Sequence, residues 1–153
     1  MNLEKIWKIK NVNNLICKLS MYVAEKCKYG DRMDALSKPE RIFYITQTLE
    51  MEVNNGGFSQ FFYNSSGDLS GELVSAFEEI GAKQTAALCQ KALDAFGCKI
   101  PADREERCDL LDELDEDALD EIWEACDDAF YEYEEDLNAL NYAYVLKHKT
   151  SFT

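Results

Sequence analysis

The sequence predicts an all-α protein that forms a single domain. Apolar residues recur at steps of three and four along most of the 153 residues, which is the spacing of one face of a helix. No stretch alternates apolar and polar residues for long, and Gly-rich hairpin turns between β-branched runs are absent. Because 46% of the residues are hydrophobic and 12% are aromatic, we expect six to eight helices around one core over residues 1–153.

The first two helices have clear apolar stripes and end signals. The first is predicted from about Asn11 to Tyr29, with Gly30 as its C-terminal cap. The second begins at Ser37, where the sequence Ser37-Lys38-Pro39-Glu40 has the form of a capping box with proline in the first turn. We expect this helix to end at residues 54–57, whose sequence is Asn-Asn-Gly-Gly. The inward-facing residues of the two helices are predicted to be Val12, Leu15, Ile16, Leu19, Tyr22, Val23, Cys27, Ile42, Ile45, Leu49 and Val53.

Two shorter helices are predicted after an aromatic connection. The residues from Phe58 to Tyr63 form a short aromatic segment that we expect to lie between helices. Residues 64–68 are turn formers and include an N-cap candidate for the next helix. That helix stops at Gly81, and the one after it stops at Gly97.

The C-terminal part of the chain is helical and strongly acidic. Leu110, Leu111 and Leu114 form a short apolar stripe, and a longer stripe runs from Leu119 to Tyr133. A break is predicted near residues 114–117, so this part contains two helices. A final helix is expected from about residue 134 to residue 148.

Negative charge is concentrated between Asp103 and Asp136. This stretch contains 18 Asp and Glu residues against Arg104 and Arg107, a net charge of −16, whereas the whole chain carries −14. Disordered acidic tails are poor in large apolar residues, but here leucines and aromatics lie among the acids, so we expect the charge on folded structure. Such a surface repels nucleic acid and anionic membranes, which predicts a basic protein surface as the macromolecular partner.

The longer apolar stripe predicts where the carboxylates point. If Leu119, Trp123 and Phe130 face inward, the acids between them are forced to the opposite side of the helix. Like charges three or four residues apart destabilise a helix, which favours a binding role over a merely solvated surface, the alternative explanation. We call the predicted partner-binding residues the acidic face: Asp112, Glu113, Glu116, Asp117, Asp120, Glu121, Glu124, Asp127 and Asp128.

One segment is distinctive enough to indicate a family. Residues 52–68 read EVNNGGFSQFFYNSSGD, which we call the NNGGF segment. This segment resembles the signature of the DNA-mimic protein family, a group of small bacterial all-helical proteins. Weaker similarity extends through residues 78–82, 104–107, 119–120 and 135–145, so the resemblance covers about residues 37–148.

The resemblance implies a helical fold, frequent homodimers and a possible role in transcription regulation. In the member that gives the family its name, a dimer displays carboxylates that imitate DNA phosphates and occupies the DNA-binding surface of a transcriptional regulator. Fold alone does not fix function, so this activity is an expectation for the present chain. We therefore expect an acidic protein that binds a DNA-binding protein and does not itself bind nucleic acid.

The NNGGF segment itself has two interpretations. Most of its residues fit a structural role, in which two glycines permit a sharp turn and the phenylalanines wedge between helices. The alternative is a small-ligand or peptide site at this corner, lined by the polar side chains of Asn54, Asn55, Gln60 and Asn64, with the acidic face only solvating the protein. The residues assigned to the segment are Asn54, Asn55, Gly56, Gly57, Phe58, Gln60, Phe61, Phe62, Asn64 and Gly67.

Other function classes have little support in the sequence. His148 is the only histidine, so a catalytic triad would depend on one residue near the chain end, and we expect no enzyme. Neither metal-ligand spacings nor Gly-rich phosphate loops occur, so no metal or cofactor is predicted. The charged N-terminus and the lack of long apolar runs predict a cytoplasmic protein. The N-terminal lysines, including Lys26, are expected at solvated helix edges.

Overall fold

Residues 2–153 are described by a computed structural model, and the regular elements among them are all helical. This confirms the predicted all-α class and helix number. The α-helices are α1 (Leu3–Ile6), α2 (Val12–Lys26), α3 (Lys38–Tyr63), α4 (Ser70–Glu79), α5 (Lys83–Asp94), α6 (Arg104–Glu113), α7 (Glu116–Tyr131) and α8 (Leu137–Lys147). Short 3-10 turns span Lys28–Gly30, Met33–Ala35, Ser65–Leu69 and Lys149–Ser151.

Helix α3 is the centre of the molecule. It contacts α2, α4, α6, α7 and α8, and α4, α5 and α7 complete the layer around its C-terminal half. The main core lies there and contains Phe58, Phe61, Phe62, Phe77 and Trp123, all of them buried. A smaller second core joins α1, α2 and α8 and includes Phe43 and Phe152. The acidic helices α6 and α7 both pack on α3, and α7 also packs on α5.

The predicted capping box begins α3 and also holds the end of the chain. Ser37 Oγ accepts a hydrogen bond from the Glu40 backbone N–H at 3.3 Å, and Glu40 accepts one from the Ser37 N–H at 2.9 Å. The buried Glu40 carboxylate also pairs with Lys26 Nζ at 2.8 Å and accepts a bond from the Thr153 N–H. The expectation that Lys26 lies at a solvated edge is wrong, because its ammonium compensates a buried charge.

Some predicted helix ends differ from the structure because local chain geometry intervenes. The first long helix ends at Lys26, before Gly30, since Lys28 and Tyr29 already adopt left-handed φ values of 50° and 56°. The last helix begins at Leu137, after residue 134, because Asp136 accepts a bond from the Ala139 N–H and caps it. The predicted break between the acidic helices is confirmed at residues 114–115.

The aromatic connection after Gly57 is helical, which differs from the prediction. Gly57 interrupts α3 with φ 81° and ψ −179°, and the helix resumes immediately through Phe58 to Tyr63. The turn at residues 64–68 forms as expected, but α4 begins without a side-chain cap. Asp68, which could have capped it, pairs with Arg107 at 2.9 Å.

In residues 2–153, no helix combines the length and apolar character needed to cross a membrane.

Candidate protein-binding face

Helix α7 holds its carboxylates outward because its other side is fixed in the core. Asp115 caps the helix by accepting a bond from the Ala118 N–H at 3.2 Å. The Trp123 indole donates to the Ala92 carbonyl at 3.0 Å and stacks on Phe62, with ring centroids 5.0 Å apart. Since a stacked, hydrogen-bonded and buried tryptophan cannot rotate outward, the rotation of α7 about its axis is set. The predicted inward positions Leu119, Cys126 and Phe130 are buried as well.

The acidic face is mostly open to solvent. Seven of its nine residues are exposed, and Asp120 and Asp127 are half-buried. No ion pair joins any of the nine to a Lys or Arg among residues 2–153. The structure thus brings the predicted residues of α7 together on one helix and adds Asp112 and Glu113 from the end of α6. The face carries negative charge that the described part of the chain does not neutralise.

Carboxylates of the acidic face contribute to raised pKa values of two tyrosines. Burial raises the pKa of Tyr63, and the carboxylates of Asp112, Glu116 and Asp120 raise it further. Burial also raises the pKa of Tyr131, with smaller contributions from Asp127 and Asp128. Because a nearby negative charge disfavours a phenolate, Tyr63 lies close to carboxylates of both α6 and α7, and Tyr131 lies close to carboxylates of α7.

Asp127 differs from the other residues of the face because it stabilises the fold. Its Oδ1 accepts a hydrogen bond from the Phe58 backbone N–H at 2.7 Å. That N–H is the first after the interruption at Gly57, so Asp127 caps the second part of α3. A Cβ on Gly57 would collide with the Asp127 carboxylate. The sequence predicted Asp127 as a partner-binding residue, whereas its carboxylate is already engaged inside the protein.

Replacing Asp127 with asparagine is expected to stabilise the protein at neutral pH. Burial raises the pKa of Asp127 above its ordinary value. The folded protein therefore loses stability as this carboxyl ionises, and the loss is complete above the raised pKa. The asparagine side chain would keep an acceptor for the Phe58 N–H without the charge. The stability advantage of the variant should shrink as the pH falls towards about 4, the ordinary pKa of Asp, where the wild-type carboxyl is protonated.

Urea denaturation between pH 4 and 7 measures this effect. Asp127→Ala is the control, because it removes the charge and the acceptor together and is expected to destabilise the protein. An advantage of Asp127→Asn that grows as the pH falls would contradict the role of the raised pKa.

Several other acids in the charged stretch cap helices. Asp103 accepts a bond from the Glu106 N–H and begins α6, and Asp136 begins α8. Glu135 accepts bonds from the backbone N–H and hydroxyl of Thr85, both at 2.7 Å, and caps α5. A carboxylate at a helix N-terminus satisfies free N–H groups and opposes the positive end of the helix dipole. Part of the charge excess therefore serves folding.

The NNGGF segment is bound to α6 through Arg107, a residue that the sequence did not single out. This side chain is fully buried, with 0% exposure. It donates to the carbonyls of Phe62 at 2.6 Å and Asn64 at 2.7 Å and pairs with Asp68 at 2.9 Å. A Cβ on Gly67 would lie 2.5 Å from the arginine Nε. The sequence signals for it are that Arg107 is one of two cations among 18 acids and that it lies in the 104–107 stretch of the family resemblance.

The polar side chains of the NNGGF segment bond mainly to one another and to neighbouring side chains. Gln60 Nε2 donates to buried Glu52 at 2.6 Å, and Asn64 Nδ2 donates to the same carboxylate at 3.2 Å. Asn55 donates to Gln60 Oε1. These contacts and the burial of Phe58, Phe61 and Phe62 favour the structural interpretation. Asn54 and Asn55 are exposed, and the ligand-site alternative stays a prediction.

Tyr133 was predicted as the last member of the apolar stripe, and the structure contradicts this. The helix ends at Tyr131, and Tyr133 has a left-handed φ of 45° and is 40% exposed. Its hydroxyl accepts a bond from Asn54 Nδ2 at 2.7 Å and donates to Glu50 at 3.0 Å. Burial and this carboxylate raise the pKa of Tyr133 to about 12. It thus connects the end of α7 to α3.

The residues considered for catalysis and metal binding are scattered. The His148 ring packs on Tyr144, with centroids 4.5 Å apart. No group of three or more His, Cys, Asp or Glu with a metal-binding arrangement occurs within residues 2–153. All six cysteines are free thiols; Cys27, Cys89 and Cys126 are buried, whereas Cys17 and Cys98 are exposed.

Comparison with a family model places the chain in one family. No curated protein and no solved structure matches it. The sequence model of the family described as DMP19-like protein matches residues 34–148, which is most of the chain and close to the range expected from the NNGGF segment and its flanks. The matched range contains α3 to α8 and therefore the complete acidic face. The chain belongs to the DMP19-like protein family, the DNA-mimic family that the sequence resembles.

Proposed function

We propose that this protein acts in the cytoplasm by binding the basic surface of a DNA-binding protein, such as a transcriptional regulator, in competition with DNA. It is proposed as a binding protein without catalytic activity. The observation that carries the proposal is the exposed acidic face on α6 and α7, whose nine carboxylates have no ion-pair partner among residues 2–153. Membership of the DMP19-like family supports the same role.

The spacing of carboxylates on α7 supports imitation of a phosphate strand. The 16 residues of α7 extend for about 24 Å at 1.5 Å per residue. Seven acidic-face residues lie on this helix, which gives one carboxylate per about 3.4 Å of helix axis, and a single strand of duplex DNA carries one charge per about 3.4 Å. Since Asp127 is engaged with Phe58, six of these carboxylates are available, at an average of about 4 Å.

Competition with DNA follows from the charge that both ligands would present. Lysines and arginines that normally contact phosphates would contact the carboxylates of α7, and both surfaces would release their associated counterions. Binding driven in this way weakens as salt increases, because exposed charges are screened within about 8 Å at physiological ionic strength. DNA and this protein should therefore exclude each other from the same surface.

A homodimer would enlarge the face. Family resemblance is the basis for proposing one, and two copies of α7 would offer twice the number of exposed carboxylates to a dimeric regulator. Many DNA-binding proteins contact two half-sites with two-fold symmetry, so a two-fold acidic ligand would fit both halves at once. Analytical ultracentrifugation of the full chain measures the oligomeric state directly.

The proposed function is tested by capture from the lysate of the native cell. We expect the immobilised protein to retain basic DNA-binding proteins, which elute with increasing salt or with added duplex DNA. A variant carrying Asp120→Asn, Glu121→Gln, Glu124→Gln and Asp128→Asn should retain them at least about tenfold less, because four charges that interact with the cations are removed.

A control variant removes four exposed carboxylates from other parts of the protein. Glu4→Gln, Glu25→Gln, Glu78→Gln and Asp94→Asn change the net charge by the same amount and leave α7 intact. This control is expected to retain the captured proteins as the wild type does. Equal capture by the α7 variant, or capture that neither DNA nor salt reduces, would refute competition with DNA.

A further inference from the structure

A groove lies beside α3, apart from the residues of the acidic face. Its volume is about 790 Å³, which is within the range of ligand sites in proteins. Most of its lining residues belong to α2, to α3 and to the 3-10 turn Ser65–Leu69. Tyr29, Gly30 and Asp31 also line it, as do Asn54 and Asn138. None of the nine acidic-face residues lines it.

Large apolar side chains are exposed in this groove. Met21 of α2 is 44% exposed, Met51 of α3 is 61% exposed, and Tyr29 is 72% exposed. Buried Ile16 and Leu69 also contribute to the lining. Methionine side chains are flexible and polarizable, and they are frequent on surfaces that accept varied apolar groups. The groove therefore offers contacts for one or two apolar side chains of a ligand.

The charges that line the groove are mainly negative. Four carboxylates line it, and the only lining cation among residues 2–153 is Arg41. That guanidinium is already bonded through Nε and Nη2 to Glu72, at 2.6 Å for each bond. The carboxylates are Asp31, Glu50, Glu52 and Asp68. Burial raises the pKa of Glu50, so a cation placed beside this carboxylate would favour its ionised form. Asp68 is already paired with Arg107, and Glu52 accepts bonds from Gln60 and Asn64, so Asp31 and Glu50 carry the charge that a positively charged ligand would meet.

Gln47 supplies a second indication of a ligand. It lines the groove, and its Nε2 is buried without a hydrogen-bond acceptor among residues 2–153. Buried amide N–H groups in folded proteins nearly always have an acceptor, so an unpaired one indicates a missing partner. Since Nε2 is shielded from solvent, the Gln47 side chain must turn towards the groove before the carbonyl of an extended peptide backbone can accept its hydrogen bond. A peptide also supplies cationic and apolar side chains in a single chain.

We propose that this groove binds an extended basic peptide segment of a partner protein. Lysine or arginine side chains of the peptide approach Asp31 and Glu50, and an apolar side chain contacts Met21 and Met51. The Gln47 side chain turns towards the peptide and donates a hydrogen bond to one of its carbonyls. The groove is a second binding surface that does not depend on the carboxylates of α7.

Selection from a displayed library of short random peptides tests this site with the full-length protein. We expect the selected peptides to be enriched in lysine, arginine and large apolar residues. Fluorescence anisotropy with the selected peptides should give affinities that fall at least about tenfold for the double variant Met21→Ala, Met51→Ala, because buried anchor side chains carry much of the energy of binding. Asp31→Asn with Glu50→Gln should weaken binding and reduce its dependence on salt.

Two controls separate this site from the acidic face and from misfolding. Leu146→Ala removes another exposed apolar side chain, 44% exposed, and should leave the peptide affinity unchanged. The quadruple α7 variant described above should also bind the peptides normally, even if it no longer captures DNA-binding proteins. The thermal unfolding of each variant reports whether it is folded.

Three outcomes would overturn the groove proposal. They are the selection of no peptides, selection without basic enrichment, and loss of binding in the α7 variant with retention in the methionine variant. The last result would place the peptides on the acidic face and would leave the proposed function itself intact.

Discussion

Arg107→Met is expected to lower the free energy of unfolding by about 3 to 5 kcal/mol, because five hydrogen bonds from a charged donor are lost at once. The side chain is fully buried and donates five hydrogen bonds, to the carbonyls of residues 62, 64, 101 and 102 and to Asp68. Methionine fills similar space but donates none of these bonds. Four carbonyls and a carboxylate would lose their shared donor, and each group that stays buried without a partner adds to the cost.

Urea denaturation followed by circular dichroism measures this loss, and the neighbouring Arg104 provides the control. Arg104 is exposed and donates one bond, to the Tyr63 carbonyl at 3.0 Å. Arg104→Met should therefore cost about 1 kcal/mol or less. Arg107→Lys should recover only part of the loss, because a single ammonium cannot reproduce the planar arrangement of five N–H groups. Similar losses for the two methionine variants would contradict the role assigned to Arg107.

Gly67→Ala tests the same contact from the opposite side. The new Cβ would lie 2.5 Å from the Arg107 Nε and 2.8 Å from Nη2, so the arginine or the 3-10 turn must move. Gly71 is the matched position, because a Cβ there meets no atom within 4 Å. Gly71→Ala should be neutral or stabilising, since alanine is favoured over glycine in a helix by up to about 1 kcal/mol.

The second large effect is expected for Gly57→Ala, with a loss of about 3 kcal/mol or more in the free energy of unfolding. A φ of 81° combined with a ψ of −179° belongs to a region that is essentially restricted to glycine. In addition, the new Cβ would collide with the carboxylate of Asp127, which caps the second part of α3. Backbone strain and collision therefore act together at this position.

Gly97→Ala gives the cost of a positive φ without a collision. Gly97 also has a positive φ, 66°, but a Cβ there meets no atom within 4 Å, so only the cost of a left-handed alanine applies, about 1 to 2 kcal/mol. The excess loss in Gly57→Ala measures the combined effect of the collision and the more restricted backbone. Combining Gly57→Ala with Asp127→Ala should cost less than the sum of the single variants, because the collision is then removed. Additive losses would contradict a direct contact.

Local signals in the sequence predicted much of the fold and the outward direction of the acidic face. The capping box at Ser37 and the inward stripe around Trp123 each involve neighbours within a few turns of one helix, so spacing alone is informative. The groove beside α3 could not be predicted in this way. It is formed by faces of different helices whose relative positions depend on the whole packing arrangement.

The roles of Asp127, Arg107 and Tyr133 were missed for a related reason. Asp127 bonds to a residue 69 positions away, the Arg107 bond to Phe62 spans 45 positions, and Tyr133 reaches Asn54 across 79. A hydrophobic pattern assigns an exposed carboxylate or an apolar ring to a face, but it contains no information about a partner brought close by folding. Asp127 therefore looked like its exposed neighbours although it is bonded to the backbone.

The contact between Gly57 and Asp127 joins the NNGGF segment to the middle of the acidic helix. Relatives that retain both residues would hold α7 in the same orientation, whatever charges its exposed positions carry. Exposed carboxylates on α7 could then be gained or lost one at a time without disturbing the contact between Gly57 and Asp127. The charge of the face and the orientation of the helix that carries it are therefore set by different residues.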